Sequence, residues 1–138
     1  MSRRRSREQA FIFLFESTFA LQSPDEIIKY AQSIREEKIS DFAKVIFEGV
    51  LNNLDNIDSN IEENLSGWEK ERLSKTVISI LRIAVFEMFY CPETPISVAI
   101  NEAVELSKKY TTEKETVYIN GVLGAVSKKL ERKVHSLG

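Results

Sequence analysis

Ser74-Lys75-Thr76-Val77-Ile78-Ser79-Ile80-Leu81-Arg82-Ile83-Ala84-Val85-Phe86-Glu87-Met88-Phe89-Tyr90 is the stretch on which the fold turns. Val77, Ile80, Leu81, Ala84, Val85 and Met88 recur at helical spacing and make one inward face. Ile83, Phe86 and Tyr90 stand at i, i+3 and i+7 and make a second stripe, on the side that also carries Ser79, Arg82 and Glu87. A helix apolar on two sides is either central, with neighbours covering both faces, or it offers the extra stripe to a partner protein. Periodicity leaves both readings open.

Working outward, the same period of three and four residues governs the rest of the chain. This helix is expected from Ser74 to Tyr90, and a short helical turn over residues 69–73 precedes it. Upstream, Ser40 caps a long segment in which Phe42, Ile46, Val50, Leu54, Ile57, Ile61 and Leu65 form one seam. That seam is expected to end at Gly67, with Trp68 following. Ser23-Pro24-Asp25-Glu26 is a helix start, with Ser23 as cap, Pro24 in the first position and Glu26 closing a capping box. This helix is expected to reach Glu37. The first helix is expected from about Arg5 to Gln22, with Ala10, Phe13, Leu14 and Leu21 on one stripe and Phe11, Phe15 and Phe19 on an adjoining one. Downstream, Cys91-Pro92-Glu93-Thr94-Pro95 breaks the helix. Two more helices follow, from Ser97 to Tyr110 and, after a capping box at Thr112-Glu113-Lys114-Glu115, to about Arg132. No stretch alternates at period two for long enough to make a strand. The expectation is one all-α domain of about seven helices spanning residues 1–138, with residues 1–5 as a basic arm.

Composition excludes several classes. Hydrophobic residues make up 43% and charged residues 29% of 138, the balance of a globular domain able to bury one core. Cys91 is the only cysteine, so no internal disulfide is possible. The chain has no apolar run long enough to span a bilayer, and Glu8, Gln9 and Glu16 follow the basic start too closely for a secretory leader. A cytoplasmic protein without a membrane association is expected. There is no phosphate loop, dinucleotide fingerprint or nucleophile elbow, and one cysteine with one histidine (His135) cannot build a thiolate–imidazole zinc site. No metal, cofactor or catalytic residue is expected. A Cys91–His135 nucleophile pair is conceivable in space, but a cysteine closing a buried helix behaves as a small hydrophobe.

Charge is distributed unevenly. Acids outnumber bases 21 to 19, yet Arg3, Arg4, Arg5 and Arg7 fall within the first seven residues with no acid among them. Guanidinium is planar and forked, suited to phosphate, and Tyr110 and Tyr118 sit near helix ends, with Lys114 one turn before Tyr118. A cationic arm beside an exposed aromatic is a common way to hold single-stranded RNA; solvated basic termini and core aromatics are the bland alternative. Asn101 and Asn120 lie on otherwise apolar helical stretches. They either face a ligand or cross-link helices through buried amide hydrogen bonds, and the structural role is the expected one. Gly121, Gly124 and Ala125 would then form a smooth strip for a neighbouring helix, and a large residue at Gly121 would overpack it.

Several of these motifs resemble the NusB family of bacterial transcription antitermination factors. The run Pro95-Ile96-Ser97-Val98-Ala99-Ile100-Asn101-Glu102-Ala103-Val104-Glu105-Leu106, followed by Lys108-Lys109-Tyr110, is similar to that family's signature. So is Tyr118-Ile119-Asn120-Gly121-Val122-Leu123, where the family usually has phenylalanine then valine in the first two places. Arg3 to Glu8, Ile57 to Ile61, Trp68 with Arg72, and Ile80 to Glu87 match in the same order, covering nearly the whole chain. The resemblance implies two packed three-helix bundles. It also implies binding of boxA RNA in ribosomal RNA leader transcripts together with NusE, a small-subunit ribosomal protein. In that setting RNA polymerase is helped to read through terminators.

By the same resemblance, Arg3, Arg4, Arg5, Arg7, Tyr110 and Tyr118 match the RNA surface. Lys114 stands where the family has an acidic or polar connector, a departure that would strengthen phosphate binding. Phe15, Val77, Arg82 and Phe86 match the partner face. The fold also occurs as a leader on RNA cytosine methyltransferases, but 138 residues leave no room for a methyl-donor domain, so the expectation is a non-enzymatic factor. Some members form homodimers, which leaves monomer and homodimer both open here.

Overall fold

In the computed structural model, residues 1–65, 67 and 70–137 are described, the last five of these by backbone alone. The expectations for Trp68, for the turn at position 69 and for the His135 side chain lie outside the described residues. Among the described residues there are seven α-helices, one short 3-10 turn and no strand. They are α1 (Arg3–Ser17), α2 (Pro24–Ser33), α3 (Asp41–Asn52), α4 (Leu54–Glu62), α5 (Lys75–Tyr90), α6 (Ile96–Tyr110) and α7 (Glu113–Leu137), with the 3-10 turn at Lys70–Arg72.

The helices form two groups. In the first, α1 packs on α2 and α3; in the second, α5 packs on α4, α6 and α7. The groups meet where α5 lies against α1 and α3. This settles the double stripe on α5: Val77, Ile80, Leu81, Ala84 and Val85 are buried, and so are Ile83 and Phe86. The helix is central, and its second stripe is core except at Tyr90, which is exposed. Glu87, on the side taken as less apolar, is also fully buried. Phe86 closes the contact with α3 over Gly49, where an added Cβ would lie 2.2 Å from the ring. Only a residue without a side chain allows that approach.

Helix starts follow local chemistry. Ser2, Ser23, Ser40 and Ser74 each accept a hydrogen bond from a backbone N–H of the first turn, and Ser23 with Glu26 forms the full capping box. Thr112 and Glu115 make the reciprocal pair ahead of α7.

Helix ends depart from expectation. The first helix stops at Ser17 rather than Gln22, because the Ser17 and Thr18 hydroxyls donate back to the Leu14 and Phe15 carbonyls and Ala20 adopts φ +55°. Leu21, expected in the core stripe, is exposed as a result, as is Phe19. The second helix stops at Ser33, since Glu36 takes φ +52° and the Glu37 N–H closes on the Ala31 carbonyl. The long third segment breaks at Asn53, whose side-chain amide donates to the Gly49 carbonyl at 2.8 Å. Because α4 resumes at once, Ile46, Val50, Ile57 and Ile61 remain one buried seam across the break. The segment ends at Glu62, before Gly67, which does carry a positive φ of 75°.

The asparagine expectation fails. Asn101 and Asn120 are exposed, and their side chains make no hydrogen bond among the described residues. Gly121 is exposed too, and neither it nor Gly124 has a neighbour within 4 Å of an added Cβ. These residues point away from α5, while Ala99, Ala103, Ile119, Val122, Leu123 and Val126 supply the packed faces of α6 and α7. There is no strip to overpack.

Candidate nucleic-acid interface

Helix α1 begins at Arg3, so all four arginines stand on a capped helix. Their surroundings differ sharply. Arg3 lies over the Phe42 ring, 3.8 Å from its centroid. Arg4 donates through Nε and Nη2 to the two oxygens of Glu102 on α6, at 3.0 and 3.1 Å. Arg5 donates to Glu8 at 2.6 Å. Arg7 donates through Nε to both oxygens of Glu87 on α5, at 2.8 and 3.0 Å, with the arginine side chain 9% exposed and the carboxylate closed from water. Burial pushes the Glu87 carboxyl above its ordinary range, against the pull of Arg7. The expectation that Arg7 meets RNA is therefore corrected: this side chain is a structural tie between α1 and α5.

Glu8 organises the exposed end. It accepts from Arg5, from the Lys109 ammonium and from the Tyr110 hydroxyl, the last at 2.9 Å. The bond from Lys109 is the leading reason its carboxyl lies below the usual carboxylate range. Through Glu8, the first helix is joined to the end of α6. The Tyr110 ring is anchored on Phe11, with centroids 4.7 Å apart, while part of its surface stays open. A cleft of about 300 Å³ opens here, lined among others by Arg4, Arg5, Glu8, Glu102 and Lys109. Arg4, Arg5 and Lys109 are 68%, 69% and 61% exposed, so their charged heads remain reachable by an anion from solvent. Lys109 was not singled out from sequence. The pair Lys108-Lys109 reads as the ordinary basic last turn of a helix, and only the position of Glu8 distinguishes one from the other.

Lys114 and Tyr118 are elsewhere. Together with Arg72, Val77, Thr112 and Glu115 they line a second depression of about 420 Å³ that shares no lining residue with the first. Lys114 is exposed; the Tyr118 ring packs against the core, and burial raises its phenol pKa. Tyr118 is thus not an open platform for a base.

The expected partner face is largely interior. Val77 and Phe86 are buried, and Arg82 is held by Asp58 through two hydrogen bonds of 2.9 Å. Lys70 reaches the same carboxylate at 3.3 Å. Two of the four lie in aromatic rows that reach the surface: Phe15, between Phe11 and the exposed Phe19, and Phe86, stacked on the exposed Tyr90. Cys91 is buried, and burial pushes its thiol up to about 11. That is opposite to the activation a nucleophile needs.

Fold and cleft together define an all-helical, two-bundle protein that gathers exposed cations at one end. The sequence pattern of the NusB family matches residues 4–128. The transcription antitermination protein NusB of Clostridium botulinum (strain Alaska E43 / Type E3) is 43% identical over 134 residues, covering 94% of this chain and all of that protein. A crystal structure of the antitermination factors NusB and NusE in complex with double-stranded RNA superposes with a TM-score of 0.80 at 30% identity, covering 94% of this chain and 99% of that one. NusB from T. maritima gives 0.81 at 31% identity, covering 93% and 92%. The chain belongs to the NusB family of transcription antitermination proteins.

Proposed function

We propose that this protein binds boxA RNA of ribosomal RNA leader transcripts together with NusE, within the RNA polymerase complex that reads through terminators. The observation that carries this reading is the cleft between α1 and α6, where Arg4, Arg5 and Lys109 present exposed cations beside the half-open ring of Tyr110. Arg3, stacked on Phe42, adds a fourth cation at the same helix start. Phosphate exchanges for carboxylate on guanidinium readily, since both offer paired oxygens to the same fork. The similarity to a protein solved with NusE and RNA supports the choice of partners. The NusE contact is placed on the surface beside Phe15 and Phe19, and Lys114 flanks the RNA. The protein acts in the cytoplasm, by binding rather than catalysis, in keeping with a buried, unactivated Cys91. Among the described residues no helix is long and apolar enough to cross a membrane.

Titration of a boxA-bearing leader RNA, with and without NusE, tests the proposal. Binding that tightens when NusE is present, and that Arg5→Gln weakens, is expected. An affinity indifferent to NusE and to Arg5 would overturn it and favour an adaptor that binds protein alone.

A further inference from the structure

We infer that Glu102 is a built-in competitor for RNA phosphate, setting how strongly Arg4 can contribute to binding. This rests on the RNA-binding reading above and deepens it. The Arg4 fork uses its Nε and Nη2 edge, and the two carboxylate oxygens of Glu102 already occupy that edge at 3.0 and 3.1 Å. It is the same edge on which guanidinium takes a phosphate through two parallel bonds. Arg4 is 68% exposed while Glu102 is 17% exposed, so a phosphate can approach the cation but must displace the carboxylate to use the fork fully.

Glu102 also differs from Glu8 and Glu87, the other acids that hold arginines of α1, in how easily it is displaced. Glu8 has three donors and Glu87 is buried against Arg7, but Glu102 has Arg4 as its one hydrogen-bond partner among the described residues. It further stands close enough to Glu87 to raise the pKa of that carboxyl. Releasing Arg4 therefore costs one exposed ion pair, a small penalty that a correctly placed phosphate repays and a poorly placed anion does not.

The test is a double-mutant cycle on RNA affinity, using Glu102→Gln, Arg4→Gln and the double variant with one boxA-bearing leader RNA. Glutamine keeps the size of the side chain, removes the charge and leaves one acceptor oxygen in place of two. Glu102→Gln is expected to tighten binding about two- to five-fold, the size of an exposed ion pair. Arg4→Gln is expected to weaken binding, and in that background Glu102→Gln should give no further gain. A gain that persists without Arg4 would overturn the inference, since it would reflect only the loss of a negative charge near the RNA. Unchanged or weaker binding by Glu102→Gln in the presence of Arg4 would overturn it as well. Absence of RNA binding by the unaltered protein would remove the functional reading and the inference together, an outcome distinct from binding that Glu102→Gln fails to tighten.

Discussion

Arg4 and Arg7 lie one helical turn apart on α1, and each holds a carboxylate through two bonds, yet they do different work. Arg7 and Glu87 are buried where α1 meets α5, so the pair is part of the contact between the two helix groups. Arg4 and Glu102 sit in an open cleft, where water and ions reach the guanidinium. Charge density along the sequence is the same at both positions. What separates them is the partner helix: α5 is covered on both sides, whereas the part of α6 that carries Glu102 lines the cleft. The basic start is thus half scaffold and half candidate ligand surface.

The sharpest way to break this contrast is to delete the buried cation. Arg7→Gln removes the ion-pair partner of a buried carboxyl that burial already pushes toward its neutral form, and should cost about 3–5 kcal/mol, read as a large fall in thermal or urea midpoint. A change below about 1 kcal/mol would show that Arg7 is not structural. Next in size is Gly49→Ala, which drives a methyl into the Phe86 ring and should cost about 1–3 kcal/mol in urea titration. Because it lies under α5, it should leave the RNA affinity of the folded protein unchanged.

Acidification probes the other side of the contrast. The folded pKa of Glu8 is lowered, so its contribution to stability is present above the ordinary carboxylate pKa of about 4.3 and is lost as pH falls through the lower folded value. Melting followed from pH 6 downward should therefore show a loss below about pH 4 that Glu8→Gln diminishes. Equal acid sensitivity in both proteins would remove Glu8 as the tie between α1 and α6. The smallest effect is expected at Gly121→Ala: with open space around the site, helix propensity should win and stability should rise by up to about 1 kcal/mol. A loss would restore the packed strip that the sequence suggested.

Those outcomes follow how legible each part was. Caps at Ser23, Ser40 and Thr112 were readable because a cap needs only residues within one turn of it. The double stripe on α5 announced a central helix or a docking face, and only the positions of α1 and α3 decide between them. Helix ends at Ser17 and Asn53 were missed because a hydroxyl or amide turning back on a carbonyl leaves no gap in the apolar period. Arg7 was misassigned because its partner is eighty residues away. Asn101, Asn120 and Gly121 carry the family resemblance, but an apolar neighbour in sequence does not place a residue in the core: on a helix, adjacent residues face different ways. The arginine row marked the end of the molecule where exposed cations gather, but not that Arg7 turns inward or that Lys109 joins Arg4 and Arg5 at the cleft.

The salt dependence of RNA binding tests this division most directly. If Arg3, Arg4, Arg5 and Lys109 each meet a phosphate, log K against log salt on single-stranded RNA should have a slope of about −3, falling to about −1.5 in the folded Arg4→Gln/Arg5→Gln double variant. A double variant that melts normally and keeps the original slope would contradict the account, because the exposed arginines would then have no part in holding RNA.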